Sequence, residues 1–241
     1  LMDRSKPVET GYSKITLNKG ELVNYGVEAR IDGYFNFLGN DLRWTPSITV
    51  SYNRNEITKF DNDMVWTAEV WGTGKRNALM GYAGCNREGY PVGALFGYQY
   101  LGVWQENERE AAAKYGAKPG EPKFLDHATS DGSGKKTANG GDGKIDDADR
   151  IYLGSSYPEI MGTFNNTITY KDWSLSFMFD GVFNKKAVNY NRLALIDPTP
   201  VEYGNLSREA LYRWTPDFTD TNIPSLTSPV DSKLAISTFC I

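Results

Sequence analysis

Apolar and polar residues alternate along residues 22–37, which read LVNYGVEARIDGYFNF. From Val23 to Phe37 the odd-numbered positions are apolar residues or glycine, and the even-numbered positions carry most of the polar side chains. A period of two residues predicts a β-strand with one apolar face and one polar face. Because ordinary strands average about 5–6 residues, this strand is too long for a small sandwich.

Further segments repeat the alternation and predict more strands, the last of them weaker: 43–53, 161–170, 173–183 and 98–104. In the first of these, Trp44, Ile48 and Val50 alternate with serine and threonine. Pro46 interrupts this pattern, because proline cannot donate a hydrogen bond to a neighbouring strand. We therefore expect Pro46 at an edge, at a strand end or at a bulge.

The connections between these strands are of two kinds. Two are hairpin-sized, LGND at 38–41 and KD at 171–172. The others exceed ordinary loop lengths and run over roughly 54–97, 105–160 and 184–241. Short helices are expected at 105–116 and at 207–214, where Ser207 is the predicted N-cap. Short turns at one end of the strands and long loops at the other are typical of an outer-membrane β-barrel.

The lengths of the apolar faces fit a membrane. Tyr25 and Phe37 lie about 40 Å apart along a strand. A tilt of about 45° projects this distance to about 28 Å, near the ~25 Å apolar band of a membrane barrel. Trp173 to Phe183 projects to about 23 Å in the same way. We therefore predict an all-β fold whose antiparallel strands form part of a transmembrane barrel.

The two faces of the predicted strands have different expected surroundings. The residues predicted to face lipid or to form an aromatic girdle are Tyr25, Phe35, Phe37, Trp44, Tyr170 and Trp173. The opposite face cannot meet lipid, since an arginine at mid-depth costs about 2–4 kcal/mol there. The polar residues predicted to face the lumen are Asn24, Glu28, Arg30 and Asp32. The alternating charges of the last three predict an ion-pair ladder, and direct substrate contact is the alternative.

Composition narrows the function classes. The chain has 26 basic and 30 acidic residues and no basic stripe, so no nucleic-acid partner is predicted. The mean hydropathy is −0.50, and no run of about 18 apolar residues predicts a transmembrane helix. Cys85 and Cys240 are too few for a disulfide framework and lack metal-ligand spacing. Free thiols are the expectation, and a single bridge is the alternative.

An acidic stretch at 139–150, NGGDGKIDDADR, is similar to a calcium loop, in which oxygen ligands recur around a glycine turn. The candidate ligands of a structural Ca²⁺ are Asp142, Asp146 and Asp149. The pattern is incomplete, because Ala138 and Gly140 offer no side-chain oxygen and the bidentate glutamate that closes such a loop is missing. A solvated turn of aspartate and glycine is the alternative, and no other cofactor is predicted.

The sequence predicts a protein that is not an enzyme. His127 is the single histidine, lies in the polar loop KFLDHATSDGSG without a nucleophile elbow, and is expected to be exposed. The chain has no Walker A loop, dinucleotide fingerprint or HExxH motif. Carboxylates are plentiful, but nothing singles out a pair for glycoside hydrolysis.

Four stretches carry motifs that point to one family: ITLNKGELVNYGVEARID (15–32), YPVGALFGYQYLGVWQ (90–105), GDGKIDDADRIYLGSSYPEIMGTFNNTITYKDWSLSFMFDGVFN (141–184) and LYRWTPDFTDTNIPSL (211–226). They resemble segments of the SusC/RagA-like TonB-dependent outer-membrane transporters. The third is the most specific, since it is similar to the family's acidic loop, its Gly-x-x-x-Pro segment and its hairpin of alternating aromatics. The matches are spread over almost the whole chain.

The resemblance implies a barrel of about 22 strands, together with a signal peptide, a plug domain and a TonB-contacting segment. Residues 1–241 are then expected to be a partial barrel domain from the later part of the barrel, without the plug, the signal peptide or the C-terminal strands. The complete protein is expected in the outer membrane of a Gram-negative bacterium. There it would import oligosaccharides, or in some members peptides, with a SusD-like surface lipoprotein as lid and energy relayed through TonB.

The competing hypothesis is a secreted or periplasmic soluble β-rich module that binds carbohydrate or hydrolyses glycosides. It requires the apolar positions from Val23 to Phe37 to lie in a packed core. Aromatic residues of the long loops suit stacking on sugars, and equally packing within the loops or against a lid. These residues are Trp66, Trp71, Tyr82, Tyr90, Trp104, Tyr115 and Trp214.

Overall fold

The structure is a computed structural model that describes residues 2–5, 14–17, 20–60, 64–67, 84–127, 141–196, 205–225 and 232–241. Antiparallel β-strands make up most of its regular structure, as predicted. The strands are β1 (Met2–Ser5), β2 (Lys14–Leu17), β3 (Gly20–Asp32), β4 (Phe35–Phe37), β5 (Leu42–Phe60), β6 (Met64–Thr67), β7 (Gly84–Arg87), β8 (Ala94–Gly97), β9 (Tyr100–Val103), β10 (Pro122–Phe124), β11 (Ile151–Ser155), β12 (Ile160–Tyr170) and β13 (Trp173–Phe183).

Helices are short throughout these segments. The α-helices are α1 (Arg109–Lys114), α2 (Tyr190–Ile196) and α3 (Ser232–Ala235), and turns of 3₁₀ helix lie at Leu38–Asn40, Glu106–Glu108, Asp147–Asp149 and Arg208–Tyr212. Helices of the length and hydropathy needed for a membrane span are absent from the described segments.

The chain divides into two compact units. The sheet unit comprises residues 1–65, 86–94 and 154–186. The loop unit comprises residues 66–85, 95–153 and 187–241. The long connections predicted from the sequence therefore supply most of the loop unit.

Long strands of the sheet unit pair in the order β13-β12-β5-β3, and β4 also pairs with β5. The register aligns Leu42 with Tyr170 and Tyr170 with Trp173, so both short turns lie at the same edge of the sheet. The backbone N–H of Lys171 in one turn donates to the carbonyl of Asp41 in the other, at 2.9 Å. The predicted grouping of the short turns at one end is confirmed. The other strands form the pairs β1-β2 and β9-β10 and a sheet in the order β11-β8-β7-β6.

Pro46 lies inside β5 with strands on both sides, and the expectation of an edge, an end or a bulge is wrong. Gly33 donates its N–H to the Pro46 carbonyl at 2.8 Å, but proline has no N–H with which to return a hydrogen bond. The missing hydrogen bond coincides with an interruption of the neighbouring strand, where Gly33 and Tyr34 separate β3 from β4 without a change of register. A methyl group at Gly33 would approach Pro46 Cγ to 3.0 Å, so the glycine also leaves room for the ring.

β5 continues beyond the end of β12, and the main chain of residues 86–93 covers its edge there. Ile57 donates its backbone N–H to the Tyr90 carbonyl at 3.0 Å and accepts the N–H of Gly89 at 2.8 Å. The Ile57 side chain is buried. Covering an unpaired edge in this way blocks pairing with another chain.

The loop unit has its own hydrophobic core, formed by Leu95, Tyr98, Phe124, Leu193, Ile196, Ala210, Ile223, Leu234, Ala235, Ile236, Phe239 and Cys240. The C-terminal segment joins this core beside β8 and β9. Tyr98 donates its N–H to the Ile236 carbonyl and accepts the N–H of Thr238, both at 3.0 Å. Gly97 permits this approach, because a Cβ at that position would lie 1.8 Å from the Ile236 carbonyl oxygen.

The two predicted helices of the long loops are present. Residues 105–116 contain the turn Glu106–Glu108 followed by α1. Ser207 caps the turn Arg208–Tyr212, and its Oγ accepts the backbone N–H of Glu209 at 3.2 Å. The second helix is shorter than predicted, and it is a 3₁₀ helix that ends two residues before Trp214.

Gly26 provides a test of the β3–β5 pairing. A Cβ at Gly26 would lie 2.4 Å from the Tyr52 carbonyl oxygen, whereas a Cβ at Gly162 in β12 meets nothing closer than 3.8 Å. We expect Gly26→Ala to lower the temperature at which the full-length protein loses its folded band in heat-modifiability gels. Gly162→Ala is the matched control and should be neutral or slightly stabilising, since alanine restricts the unfolded chain. Equal effects of the two substitutions would contradict the register.

Candidate functional site

One face of the sheet unit carries most of the apolar positions of its long strands in common rows, and the exposed Met161, Met178 and Val182 lie on the opposite face. We call the first of these surfaces the apolar face. From the long-loop end to the short-turn end its rows are Val27–Tyr52–Ile160–Phe183, Ala29–Val50–Gly162–Gly181, Ile31–Ile48–Phe164–Phe179, Pro46–Asn166–Phe177, Phe35–Trp44–Ile168–Leu175 and Phe37–Leu42–Tyr170–Trp173. Directly opposed residues point to the same side of a sheet. The apolar residues that alternate along separate segments of the sequence therefore lie together on one surface.

The apolar face is solvent-exposed in the described structure. Ile31 is 70% exposed, Phe179 is 64% exposed and Trp173 is 80% exposed. Soluble monomers rarely leave apolar patches larger than a few hundred Å² uncovered. The packed core that the soluble-module hypothesis requires for Val23 to Phe37 is not formed by the described residues, in which this strand is exposed throughout.

The register also sets the height of the apolar face. β12 and β13 each have 11 residues and pair along their whole length, which spans about 34 Å. At a tilt of about 45° this projects to about 24 Å, close to the ~25 Å apolar band of a membrane barrel. Beyond Tyr52 the face becomes charged, because Tyr25 is opposite Arg54. Tyr25 therefore lies at the boundary of the face nearest the long loops, and its place towards lipid or in a girdle stays a prediction.

Aromatic residues concentrate at the short-turn end. Phe35 stacks on Trp44 with ring centroids 5.1 Å apart and on Phe37 at 6.4 Å. The Trp44 indole N–H donates to Asn166 Oδ1 at 3.0 Å. Asn166 is 3% exposed, and its Nδ2 has no hydrogen-bond partner in the described structure. Asn166 was not singled out from the sequence, where it is a polar residue at a position that shares its parity with Phe164 and Ile168.

The polar face opposite holds the residues predicted to face the lumen, Asn24, Glu28, Arg30 and Asp32. Arg30 and Asp32 form an ion pair at 3.0 Å, which confirms one rung of the predicted ladder. Across β12 and β13, Thr163 donates to Asp180 at 2.6 Å. These contacts are exposed, so they order the side chains and contribute little to the free energy of folding. Which face meets lipid stays a prediction.

Two tryptophans of the loop unit have packing roles. Trp104 and Trp214 are both buried. Trp214 donates its indole N–H to Gln105 Oε1 at 3.0 Å, and Tyr115 stacks on Trp104 at 5.9 Å. For these tryptophans the structure therefore favours packing within the loops over stacking on sugars. Other loop aromatics lie outside the residues whose side chains are described: Trp66, Trp71 and Tyr82.

A cavity of about 800 Å³ opens between β9, the β10 strand and residues 212–223 of the loop unit. Tyr212 and Phe218 line it with partly exposed rings. Gln105 connects its walls, since its amide donates to the carbonyls of Val103 and Thr219. Exposed rings beside amides and carboxylates suit a polar organic ligand, and no sequence signal singled out this cavity.

A paired charge lies at the rim of this cavity. The Lys123 ammonium donates to the Glu108 carboxylate, and this hydrogen bond holds the pKa of Glu108 below its ordinary value. The same ammonium lies 4.5 Å from the centroid of the Trp104 ring. Lys123 thus joins β10 to the turn that precedes α1.

The predicted calcium ligands of the acidic loop differ in burial and in their hydrogen bonds. Asp149 is fully buried and accepts the backbone N–H groups of His127 at 2.7 Å and Asp146 at 2.8 Å. Asp142 and Asp146 are exposed, and each accepts an N–H from two residues further on. No group of three histidine, cysteine or acidic residues in the described segments is placed to hold a metal. Calcium binding stays a prediction, and Asn139 and Gly140 of its loop lie outside the described residues.

Asp126 also contacts the acidic loop, and no sequence motif pointed to this residue. Its Oδ2 accepts the N–H of Gly143 at 2.9 Å and the Tyr115 hydroxyl at 3.3 Å. His127 next to it is partly buried, contrary to the expected exposure, and its Nε2 lies 3.3 Å from Gln99 Oε1. These contacts fasten the acidic loop to the end of β10 and to α1.

Both cysteines are buried, and neither forms a disulfide in the described part of the chain, as expected. Burial raises the pKa of Cys240 from its ordinary value of 9.0 to about 11, although the Arg192 guanidinium nearby acts in the opposite direction. Arg192 pairs with Glu209 and donates to the Phe239 carbonyl at 2.7 Å. It thus ties α2 to the C-terminal segment.

Comparisons with known proteins identify relatives. TonB-dependent receptor P3 of Formosa agariphila is 28% identical over 228 residues, which cover 93% of this chain and 21% of that protein. TonB-dependent receptor SusC of Bacteroides thetaiotaomicron is 26% identical over 184 residues, which cover 74% of this chain and 16% of SusC. The predicted resemblance to SusC/RagA-like TonB-dependent transporters is confirmed. No protein-family model matches the chain.

The fold comparison agrees with these relatives. A solved structure of the RagAB peptide transporter superposes with a TM-score of 0.67 at 21% identity, covering 98% of this chain and 23% of that one. A second structure, of the RagAB peptide importer in a closed-closed state, gives a TM-score of 0.65 at 20% identity. The antiparallel all-β fold matches that barrel, and the chain spans about a fifth of the length of the TonB-dependent receptors P3 and P26.

Neighbouring positions on β5 test which face meets lipid. Ile48 lies in a middle row of the apolar face, and Thr49 beside it lies on the polar face. We expect Ile48→Arg to reduce assembly of the full-length protein into the outer membrane, because an arginine at mid-depth costs about 2–4 kcal/mol. Thr49→Arg is the matched control and should assemble normally. Immunoblots of outer-membrane fractions measure both, and a defect confined to Thr49→Arg would reverse the assignment of the faces.

The raised pKa of Cys240 predicts slow thiol chemistry. At pH 8, maleimide labelling of Cys240 in the folded full-length protein should be about a hundredfold slower than in urea. Only the thiolate reacts, and raising the pKa from 9.0 to about 11 lowers the thiolate fraction by about that factor. The unfolded thiol ionises from about pH 9, so the stability linked to this proton is full below that pH and is lost towards pH 11. Peptide mass spectrometry resolves the labelled segment. Equal labelling rates with and without urea would contradict the burial.

Proposed function

We propose that the chain forms part of the barrel wall and the extracellular loops of a TonB-dependent nutrient importer in the outer membrane of a Gram-negative bacterium. The apolar face carries this proposal. Its rows run across the antiparallel strands, and its projected height of about 24 Å suits a bilayer. Lipid offers no hydrogen bonds to the backbone, so only helices and closed barrels span it, and the strands of this chain would be completed by others of the full-length protein.

The short turns of the sheet are proposed to lie on the periplasmic side and the long loops on the extracellular side. Outer-membrane barrels have this asymmetry, and both described short turns lie at one edge of the sheet. The polar face would then border the lumen. The Arg30–Asp32 pair can remain hydrated there, or contact a plug, without the cost of facing lipid.

The substrate is proposed to be an oligosaccharide or a peptide, taken up together with a SusD-like surface lipoprotein and with energy from TonB. The support is the similarity to SusC and the fold shared with the RagAB peptide transporter. The role of this chain is that of wall and vestibule, with no chemistry performed on the substrate. If Ca²⁺ binds, we propose that Asp142, Asp146 and Asp149 order the acidic loop and take no part in transport.

Loss of the full-length gene tests the proposal. Deletion in the native bacterium should abolish growth on one class of oligosaccharide or peptide as sole nutrient, while growth on free monosaccharides or amino acids continues. The full-length gene should restore growth, and a copy carrying Ile48→Arg should restore it less well than one carrying Thr49→Arg. Growth curves and outer-membrane immunoblots measure the two effects together.

Two results would contradict the proposal. One is recovery of the full-length protein in the soluble periplasmic or secreted fraction, which would favour the soluble-module hypothesis. The other is unchanged growth of the deletion strain on every oligosaccharide and peptide tested, although the wild-type protein is fully inserted in the outer membrane of the parent strain. The first result would exclude a membrane barrel, and the second would exclude only the import function.

A further inference from the structure

The short-turn end of the apolar face presents three hydrogen-bond donors side by side. They belong to Tyr170, Lys171 and Trp173. Tyr170 and Trp173 are directly opposed in the β12–β13 ladder, so their side chains emerge next to each other on the apolar face. Lys171 occupies the turn between these strands.

The turn directs the Lys171 ammonium towards the apolar face. Lys171 has a φ of 50°, in the left-handed region, and its N–H is held by the Asp41 carbonyl at 2.9 Å. Its Nζ lies 5.4 Å from the centroid of the Tyr170 ring, within the range of a cation–π contact. The ammonium forms no ion pair within the described part of the chain.

The Tyr170 hydroxyl and the Trp173 indole N–H form no hydrogen bond with another described residue. The Trp173 side chain is 80% exposed and the Tyr170 side chain is 43% exposed. The Lys171 ammonium and the Tyr170 and Trp173 side chains thus lie next to one another at this edge, and the row of apolar side chains formed by Leu175 and Ile168 begins directly beside them. Asp41 and Asp172 are the carboxylates of the same two turns, and neither pairs with Lys171 in the described structure.

This arrangement is complementary to an amphiphile whose anionic head adjoins an apolar tail. Phosphate oxygens accept hydrogen bonds from all three donor types and attract the ammonium. The acyl chains would run along the apolar face away from the turn. Basic side chains at membrane boundaries recognise lipid head groups in this way, and indole and phenol rings prefer the same depth.

We infer that Tyr170, Lys171 and Trp173 form a binding site for the phosphate head group of an anionic glycerophospholipid. The inference rests on the proposed membrane location of the apolar face. It adds a defined lipid contact at the end of β12 and β13, with Lys171 as the charged group and Trp173 as a hydrogen-bond donor. The site would fix the depth of this edge of the wall in the leaflet that meets the short turns.

Photocrosslinking in vesicles tests the site. The full-length protein is reconstituted into phosphatidylcholine vesicles that contain a small fraction of phosphatidylglycerol with a photoreactive head group, and peptide mass spectrometry maps the crosslinks. We expect crosslinks at residues 168–175 of the wild-type protein. Lys171→Gln should lower the yield in this segment about fivefold, since one cation near an anionic lipid surface is worth that factor.

Matched variants separate the contributions. Lys171→Arg keeps the charge and should keep the yield, while Trp173→Phe keeps the ring, loses the N–H and should lower the yield. Lys185→Gln removes an exposed lysine beyond the opposite end of β13 and should change nothing in this segment. Equal crosslinking of Lys171→Gln and wild type in inserted protein would overturn the lipid site. Failure of the wild type to insert at all would instead overturn the proposed function.

Discussion

The backbone register of β3, β5, β12 and β13 is the constraint on which the rest of the structure depends. Since side chains alternate along a strand, a shift of one residue would move every apolar side chain to the opposite face. In the observed register Ile31, Ile48, Phe164 and Phe179 share a row, and Arg30 stays on the other side with Thr49. The backbone hydrogen bonds of this register separate the apolar face from the polar face. They also place both short turns at the same edge of the sheet.

The strands themselves could be predicted because their period of two is long and regular. β13 has the bounds inferred from the sequence, Trp173–Phe183, and the hairpin turns lie where predicted. The extent of the apolar face could not be read in this way. It depends on which residue opposes which, and the pairing of Tyr25 with Arg54 marks the boundary of the face at the long-loop end. Pro46 was misplaced for a related reason, since its missing N–H is accommodated in the partner strand at Gly33.

The loop unit was less predictable, because its contacts join distant segments. Trp214 reaches Gln105 across 109 positions of sequence. Burial of Trp104 and Trp214 therefore depends on a tertiary arrangement that no local pattern encodes. The acidic loop shows the same limit, because its spacing made Asp149 a candidate calcium ligand but gave no sign of its burial or of the two backbone N–H groups, of His127 and Asp146, that it accepts. The periodicity of the sequence predicted the fold class, but it did not predict the packing and hydrogen bonds of the loop side chains.

Under the proposed function, the apolar face meets lipid and the polar face does not. Nitroxide labels at Ile48 and Thr49, in full-length protein lacking the native cysteines and reconstituted in bilayers, test it directly. The label at Ile48 should be accessible to oxygen and shielded from a water-soluble nickel chelate, and the label at Thr49 should show less oxygen access. Oxygen access at Thr49 with chelate access at Ile48 would contradict the account.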